Sequence, residues 1–340
     1  MVTAPAHPDG SSVRRPLRSK STRGARSYGY RYGVIAVWAL EIVIFSVLAP
    51  GSFLSWANFA SIFSSQAGLL VLALALVPTL AANEIDLSAA GTMTITATLV
   101  GQLNAVLGWN IWLAVVAGLA VALAVGLVNG YLAVRVGVQS IVVTLGMGTL
   151  LVGLALWASN SLTIGGVSLE LGRIMNTPVL GVSTAFYYAV IIGLALWYVY
   201  KHTAIGRHIV FIGQNREVAR LAGISVSRLR MGAFVTTSVL SGVAGVIVIG
   251  VAGGLQPSSL QTLLLPAFAA AFLSSAIFEP GRINPLGTIV ALLFLATGIT
   301  GLVLLGLDSW IRDVFYGAAV VVAVTVSRVA FVRAQKRNNT

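Results

Sequence analysis

The chain contains no cysteine, which excludes disulfides, thiolate nucleophiles and any cysteine-bearing metal site. Histidine is scarce as well: His7, His202 and His208 are scattered, without metal-ligand spacing. Charge is the third shortage. Only 9% of the 340 residues are Asp, Glu, Lys or Arg, against about a quarter in an ordinary soluble domain. Lys20, Lys201 and Lys336 are the only lysines, and none follows a glycine-rich loop. A phosphate-binding loop of the form G-x-x-x-x-G-K-[ST] is therefore missing. No nucleophile–histidine–acid arrangement is visible either. No catalytic residue, cofactor site or metal site is expected in this chain. Were ATP to energise it, another chain would have to bind and hydrolyse the nucleotide.

What is abundant is apolar. Hydrophobic residues make up 57% of the sequence, and the mean hydropathy of +0.94 places the protein in a lipid bilayer. A net charge of +12 raises the question of nucleic acid. The positive residues lie in loops and tails between apolar runs, as in a polytopic membrane protein. No soluble basic domain remains to bind nucleic acid.

Residues 1–32 are polar and basic, rich in Ser, Pro, Gly and Arg, and are expected to form a disordered cytoplasmic tail. They are not expected to form a cleavable signal. The first apolar run starts near Gly33 and ends in "LAPGSF" without a small-residue cleavage site. A helix needs about 20 apolar residues to cross the hydrocarbon. By that ruler ten spans are expected, at 33–50, 66–83, 88–106, 111–134, 141–158, 183–201, 231–252, 262–278, 286–305 and 310–327. The fold class is thus an all-α integral membrane protein. Its transmembrane domain covers 33–327 and a short tail covers 328–340. With both termini cytoplasmic, all 21 Lys and Arg except Arg173 and Arg312 fall on the inside. The spans are rich in Gly and Ala, which let helices approach where no hydrophobic effect drives them together.

A few polar residues sit at or near membrane depth. Glu41, Glu84 and Asp86 are the acids in or beside the early spans, and such groups usually face a partner or an aqueous pathway. Asp86 has two readings: a cap accepting the backbone N–H of Ser88 or Ala89, or a substrate contact. Glu84 is expected at a solvated link, and Glu41 needs a partner. Asn129, Thr144 and Gln261 fit interhelical hydrogen bonds. Asp86, Ser88, Asn129 and Thr144 are the candidates for lining a translocation pathway.

The longest cytoplasmic link, 202–230, contains the polar stretch "NREVARLAGI". Asn215 is a good N-cap. Glu217 in the first turn and Arg220 near the end suit the helix dipole. Gly223 can adopt the left-handed conformation that ends a helix. A helix over 216–222 follows, with Val218, Leu221 and Ala222 on one face. At about two turns it is not stable alone in water and must lie against its own membrane domain, the lipid surface or another protein.

At this point the chain resembles the permease subunit of ATP-binding cassette (ABC) importers, in the ribose/sugar branch of the branched-chain amino acid and sugar permeases. The family's central loop has its counterpart in Gly206, Arg207, Gly213, Asn215, Ala219, Arg220, Gly223 and Ile224, with Val218 where the family usually has Ala. "EIDLSAAGTMTITA" (84–97), "NGYLAVRVGVQSIVVTLGM" (129–147) and "LPAFAAAFLSSAIFEPGRINPLGTIVA" (265–291) resemble three further segments in order. The resemblance covers about 33–327. Departures are Asn83 and Glu84 in place of small residues before the Asp-Leu-Ser, Gln139 and Ser140 in place of a proline-bearing pair, and "EPGRIN" in place of a glycine-rich run.

The resemblance implies a coupling helix built from Asn215, Arg216, Glu217, Val218, Arg220, Leu221, Gly223 and Ile224, inserted into a groove on a cytoplasmic ATPase. Arg207 and Arg282 are secondary contacts. It implies a second permease copy or homologue, an extracytoplasmic solute-binding protein, ATP and Mg on the ATPase, and a multi-pass place in the bacterial plasma membrane among lipid. Three alternatives stay open, one of them a lipid-embedded scaffold or integral enzyme that would show no transport. A proton-coupled secondary transporter would need no ATPase. A branched-chain amino acid permease would keep the machinery and change the cargo.

Overall fold

The computed structural model describes residues 21–322 and Thr325, with backbone only for 21–31. Of the expected tails, 1–20 and 328–340 lie outside the described residues. Helix α1 (Ser21–Leu48) extends the first span back through the polar segment 21–32. Lengthening an existing helix costs little once it has nucleated.

Among the described residues, six helices are long and apolar enough to cross a membrane: Ile111–Val136, Ser140–Ala158, Thr184–His202, Val226–Ala252, Pro257–Ala276 and Pro285–Leu304. A bent pair, α2 (Trp56–Ser65) and the segment Ala67–Ala81, meets the same test together across a 45° bend, as one broken span or as a re-entrant segment. That segment comprises α3 (Ala67–Ala75) and α4 (Val77–Ala81), with Pro78 in the first turn of α4, where its missing N–H is tolerated. The three other expected spans are helical over their described residues without meeting that test. They are Tyr32–Leu48 within α1, α5 (Ala89–Gly101) with its π-helical continuation Gln102–Val106, and 310–322, labelled α15 below.

Helix α5 shows why apolarity misses it. It carries Thr92, Thr94, Thr96 and Thr98, yet every residue but Leu99 is buried by protein rather than lipid. Three of the four turn their hydroxyls onto carbonyls: Thr92 donates to Ser88 O at 3.0 Å, Thr94 to Ala90 O at 2.7 Å and Thr96 to Gly118 O at 3.4 Å. A helix buried all round needs no lipid-facing stripe.

The core is built on close backbone approach. Helices α6 (Ile111–Gly130), α7 (Ser140–Ala158) and α12 (Val226–Ala252) surround α5, while α3 and α13 (Leu264–Leu273) complete the buried mass. A Cβ on Gly91 of α5 would sit 2.7 Å from the Gly148 carbonyl oxygen of α7. Gly245 of α12 lies directly on the carbonyl of Met93. On the outside of the bundle, α9 (Thr184–His202) and α14 (Pro285–Leu304) pack on α3.

The connections sort into two ends. At one end, strand β1 (Ile164–Gly165) pairs antiparallel with β4 (Gly254–Leu255). At that end also, Trp112 donates to Glu170 of α8 (Leu169–Asn176) at 3.0 Å, and Trp56 donates to Leu180 O at 2.9 Å. A second antiparallel pair, β2 (Pro178–Val179) with β3 (Val182–Ser183), lies in the same connection. At the opposite end lie the link 82–88, α10 (Ala204–Gln214), α11 (Arg216–Leu221) and the loop 277–284.

The glycine contacts give a direct test. Gly245→Val drives a branched side chain into the α5 backbone and should lower the thermal midpoint of the detergent-purified protein by several degrees, at about 1–3 kcal/mol of overpacking. Gly232→Ala, at a helical position with open space around it, should leave the midpoint unchanged or slightly raised. Equal midpoints for Gly245→Val and wild type would contradict the packing described.

Candidate functional site: the exposed end helix and the buried polar cluster

The short helix forms as its residues dictate. Asn215 Oδ1 accepts from the backbone N–H of Glu217 at 3.0 Å and of Val218 at 3.1 Å. Gly223 sits at φ +77°, a conformation costly for any residue with a Cβ. This turn lets Ile224 N–H reach Ala219 O at 3.1 Å and Gly223 N–H reach Arg220 O at 3.0 Å. The pattern is that of a Schellman-type stop. Helix α11 covers Arg216–Leu221, one residue shorter than the sequence predicts, because Ala222 is taken into that stop. Glu217 and Arg220 pair at 2.8 Å, but both are largely in solvent and the bond adds little.

The two sides of α11 differ. Ala219 is buried, facing the chain. Val218 is 46% and Leu221 84% exposed, and Leu221 is the most exposed of the large hydrophobic residues described. A short, doubly capped helix thus presents two apolar side chains outward from the end of the molecule.

Arg216 does not join that outward face. Its guanidinium turns back to the link 82–88, donating to Glu84 Oε1 at 2.7 Å and to Asn83 O at 3.0 Å. Arg230, near the start of α12, reaches the same carboxylate oxygen with Nε at 2.7 Å and Nη2 at 2.6 Å. Glu84 is therefore buried and twice paired, which corrects its expected place at a solvated link. Burial without these arginines would leave a costly isolated charge. Their sequence separation, 132 and 146 residues, hides the arrangement from local pattern.

Arg207 and Arg282 lie apart from the exposed face of α11. Both line a cavity of about 430 Å³ with Trp197, Tyr200 and Lys201. Gln214, with its amide oriented to satisfy both groups, accepts from Arg282 Nη2 at 3.1 Å and Nε at 3.3 Å.

The four pathway candidates come together, fully buried, at the foot of α5. Asp86 Oδ1 accepts from Ser88 N–H at 2.9 Å and from Ser88 Oγ at 2.6 Å. Asn129 Nδ2 of α6 donates to Ser88 Oγ at 2.8 Å. Thr144 of α7 accepts the Leu87 N–H at 3.0 Å. Asp86 thus makes the local bond to Ser88 that its capping reading requires, and the cluster ties α5 to α6 and α7. Glu41 sits elsewhere, against Gly298 of α14, its Oε2 without a hydrogen-bond partner among the described residues.

Residues 57–324 match the family described as branched-chain amino acid transport system / permease component. The chain belongs to that family. It is similar to the D-allose transport system permease protein AlsC of Escherichia coli K12, at 25% identity over 88% of this chain and 91% of that one. The ribose import permease protein RbsC of the same organism is 28% identical over 84% of this chain and 89% of that one. The autoinducer 2 import system permease protein LsrD of Klebsiella pneumoniae is 28% identical over 86% and 89%. No solved structure matches the chain. This permease is a multi-pass inner-membrane protein and a transport component of the ABC type, not an enzyme.

The cap carries a prediction. Asn215→Ala removes the acceptor for two amides, at about 1 kcal/mol of local helix stability. Hydrogen exchange of the peptide covering 216–222 should accelerate about fivefold, while Asn215→Asp keeps wild-type exchange. Unchanged exchange in Asn215→Ala would contradict the capping geometry.

Proposed function

We propose that this permease is the membrane-spanning subunit of an ATP-driven importer for a monosaccharide or related sugar, and that α11 is the helix through which it meets its ATPase. The carrying observation is the apolar outer face of α11. Leu221 and Val218 project from a helix fixed from within by Ala219 and Arg216. An apolar pair on a polar end surface is what a groove on a partner would bury.

Ten membrane passes with both termini cytoplasmic fit this reading. The passes are α1, the bent α2–α4, α5 with its continuation, α6, α7, α9, α12, 257–276, α14 and α15. Odd and even connections then alternate between the two ends. Arg173 of α8 falls on the extracytoplasmic side, while α10 and α11 face the ATPase. A second permease, identical or homologous, and a solute-binding protein complete the assembly. ATP and Mg bind to the ATPase alone.

Closure of the ATPase pair moves α11, and the permease pathway changes the side to which it opens. Such a switch requires the partner to bind one state of the permease better than the other. Asp86, Ser88, Asn129 and Thr144 lie where the inner ends of three helices meet, and any displacement of the link 82–88 reaches them first. Sugar cargo is preferred because the similar permeases are named for D-allose, ribose and autoinducer 2. The family description favours branched-chain amino acids as the second reading of the cargo.

The test is purification of tagged protein from native membranes in mild detergent, for wild type, Leu221→Asp and Gly223→Pro. A P-loop ATPase should accompany wild type and be lost from both variants, with membrane insertion intact and uptake abolished. Normal uptake in either variant would sink the coupling assignment. Uptake that survives ATP depletion and collapses with an uncoupler would favour a proton-coupled transporter.

A further inference from the structure

Glu84 is held more tightly than membrane insertion requires. Its side chain is 5% exposed and its Oε1 receives two guanidinium groups. One belongs to the first residue of α11 and the other to the cytoplasmic end of α12. Arg216 also donates to the Asn83 carbonyl, and Arg230 Nη2 reaches Ala133 O at 3.4 Å. The same link is gripped from a second side, because Gly213 of α10 rests on the Ala81 carbonyl with no room for a Cβ. Two residues beyond Glu84 stands Asp86, whose carboxylate organises Ser88 and, through it, Asn129.

Ion clusters of this kind contribute little net stability, since desolvating the charges offsets their attraction. What they do supply is fixed geometry, with charge-assisted bonds at set distances. Helix α11 has few other inward anchors: Ala219 is its one buried residue. A force on its outer face therefore has in Arg216 a direct side-chain route to the link 82–88. The carboxylate that receives it stands where the resembled family has a small residue, so the bond is not implied by that resemblance.

We propose that Glu84 is a positioning residue that clasps the coupling helix to the link 82–88, so that displacement of α11 is handed to the buried cluster at the foot of α5. The inference rests on reading α11 as the ATPase-contacting helix. Glu84 touches no cargo. It acts through Arg216 and Arg230, and the two arginines keep α11 and α12 in register with the link.

The experiment is hydrogen exchange on the transporter purified with its ATPase, with and without ATP plus orthovanadate. In wild type the nucleotide should change exchange both at 216–222 and at 82–92. In Glu84→Gln the ATPase should still copurify and the change at 216–222 persist, while the change at 82–92 is lost. Arg216→Lys keeps the charge, loses the forked geometry, and should behave the same way should Glu84→Gln fold poorly. A nucleotide-driven change at 82–92 that survives in both variants overturns the clasp and leaves the coupling helix standing. No change at 216–222 in wild type overturns the docking reading, and the clasp falls with it.

Discussion

Everything in this permease depends on bringing helix backbones together without a hydrophobic drive between them. Lipid tails are as apolar as leucine, so association rests on dispersion contacts and on hydrogen bonds that the hydrocarbon cannot replace. The answer is small residues at the crossings. Gly91 meets Gly148, and Gly245 rests on Met93. Threonine hydroxyls fold back onto carbonyls within α5. The result is a central helix sealed by protein on all sides, with α3 and α12 beside it. Such a core moves as packed blocks rather than by bending, which concentrates any conformational change in the links between helices.

The end that carries the link 82–88 and α11 is organised on a different principle. There the backbone leaves helix at 82–88 and turns through Asn83 at φ +57°, and polar groups take over from packing. Glu84 gathers Arg216 and Arg230, Asp86 gathers Ser88 and Asn129, and Thr144 receives the Leu87 amide. One short stretch of chain thus touches α6, α7, α11 and α12. The outer face of α11 remains free, with Leu221 exposed. The inward side of this end is thus tied by ion pairs and hydrogen bonds, while Val218 and Leu221 stay exposed on its outer side.

Much of this was legible from local chemistry. The cap at Asn215, the stop at Gly223 and the bond from the Ser88 N–H to Asp86 follow from side chains acting within four residues of themselves. The apolar runs locate the helices, including those such as α5 that are too rich in threonine to satisfy a lipid-facing criterion. The Glu84 clasp was not legible, because its partners lie more than a hundred residues away and nothing near position 84 announces them. Its acid looked like a solvated link group for the same reason. Arg216 looked like an outward contact because a helix drawn from sequence alone has no inside. The cavity beside Arg207 and Arg282 likewise arises from two segments that only the fold brings together.

The central claim is that the outer face of α11 is buried by an ATPase in the working transporter. A photoreactive amino acid in place of Leu221, activated in native membranes, tests it most directly. The account predicts a cross-link to a P-loop ATPase that is absent when the same group replaces Trp157, an exposed residue near the far end of α7. Cross-links from position 221 confined to the permease itself or to lipid would contradict it.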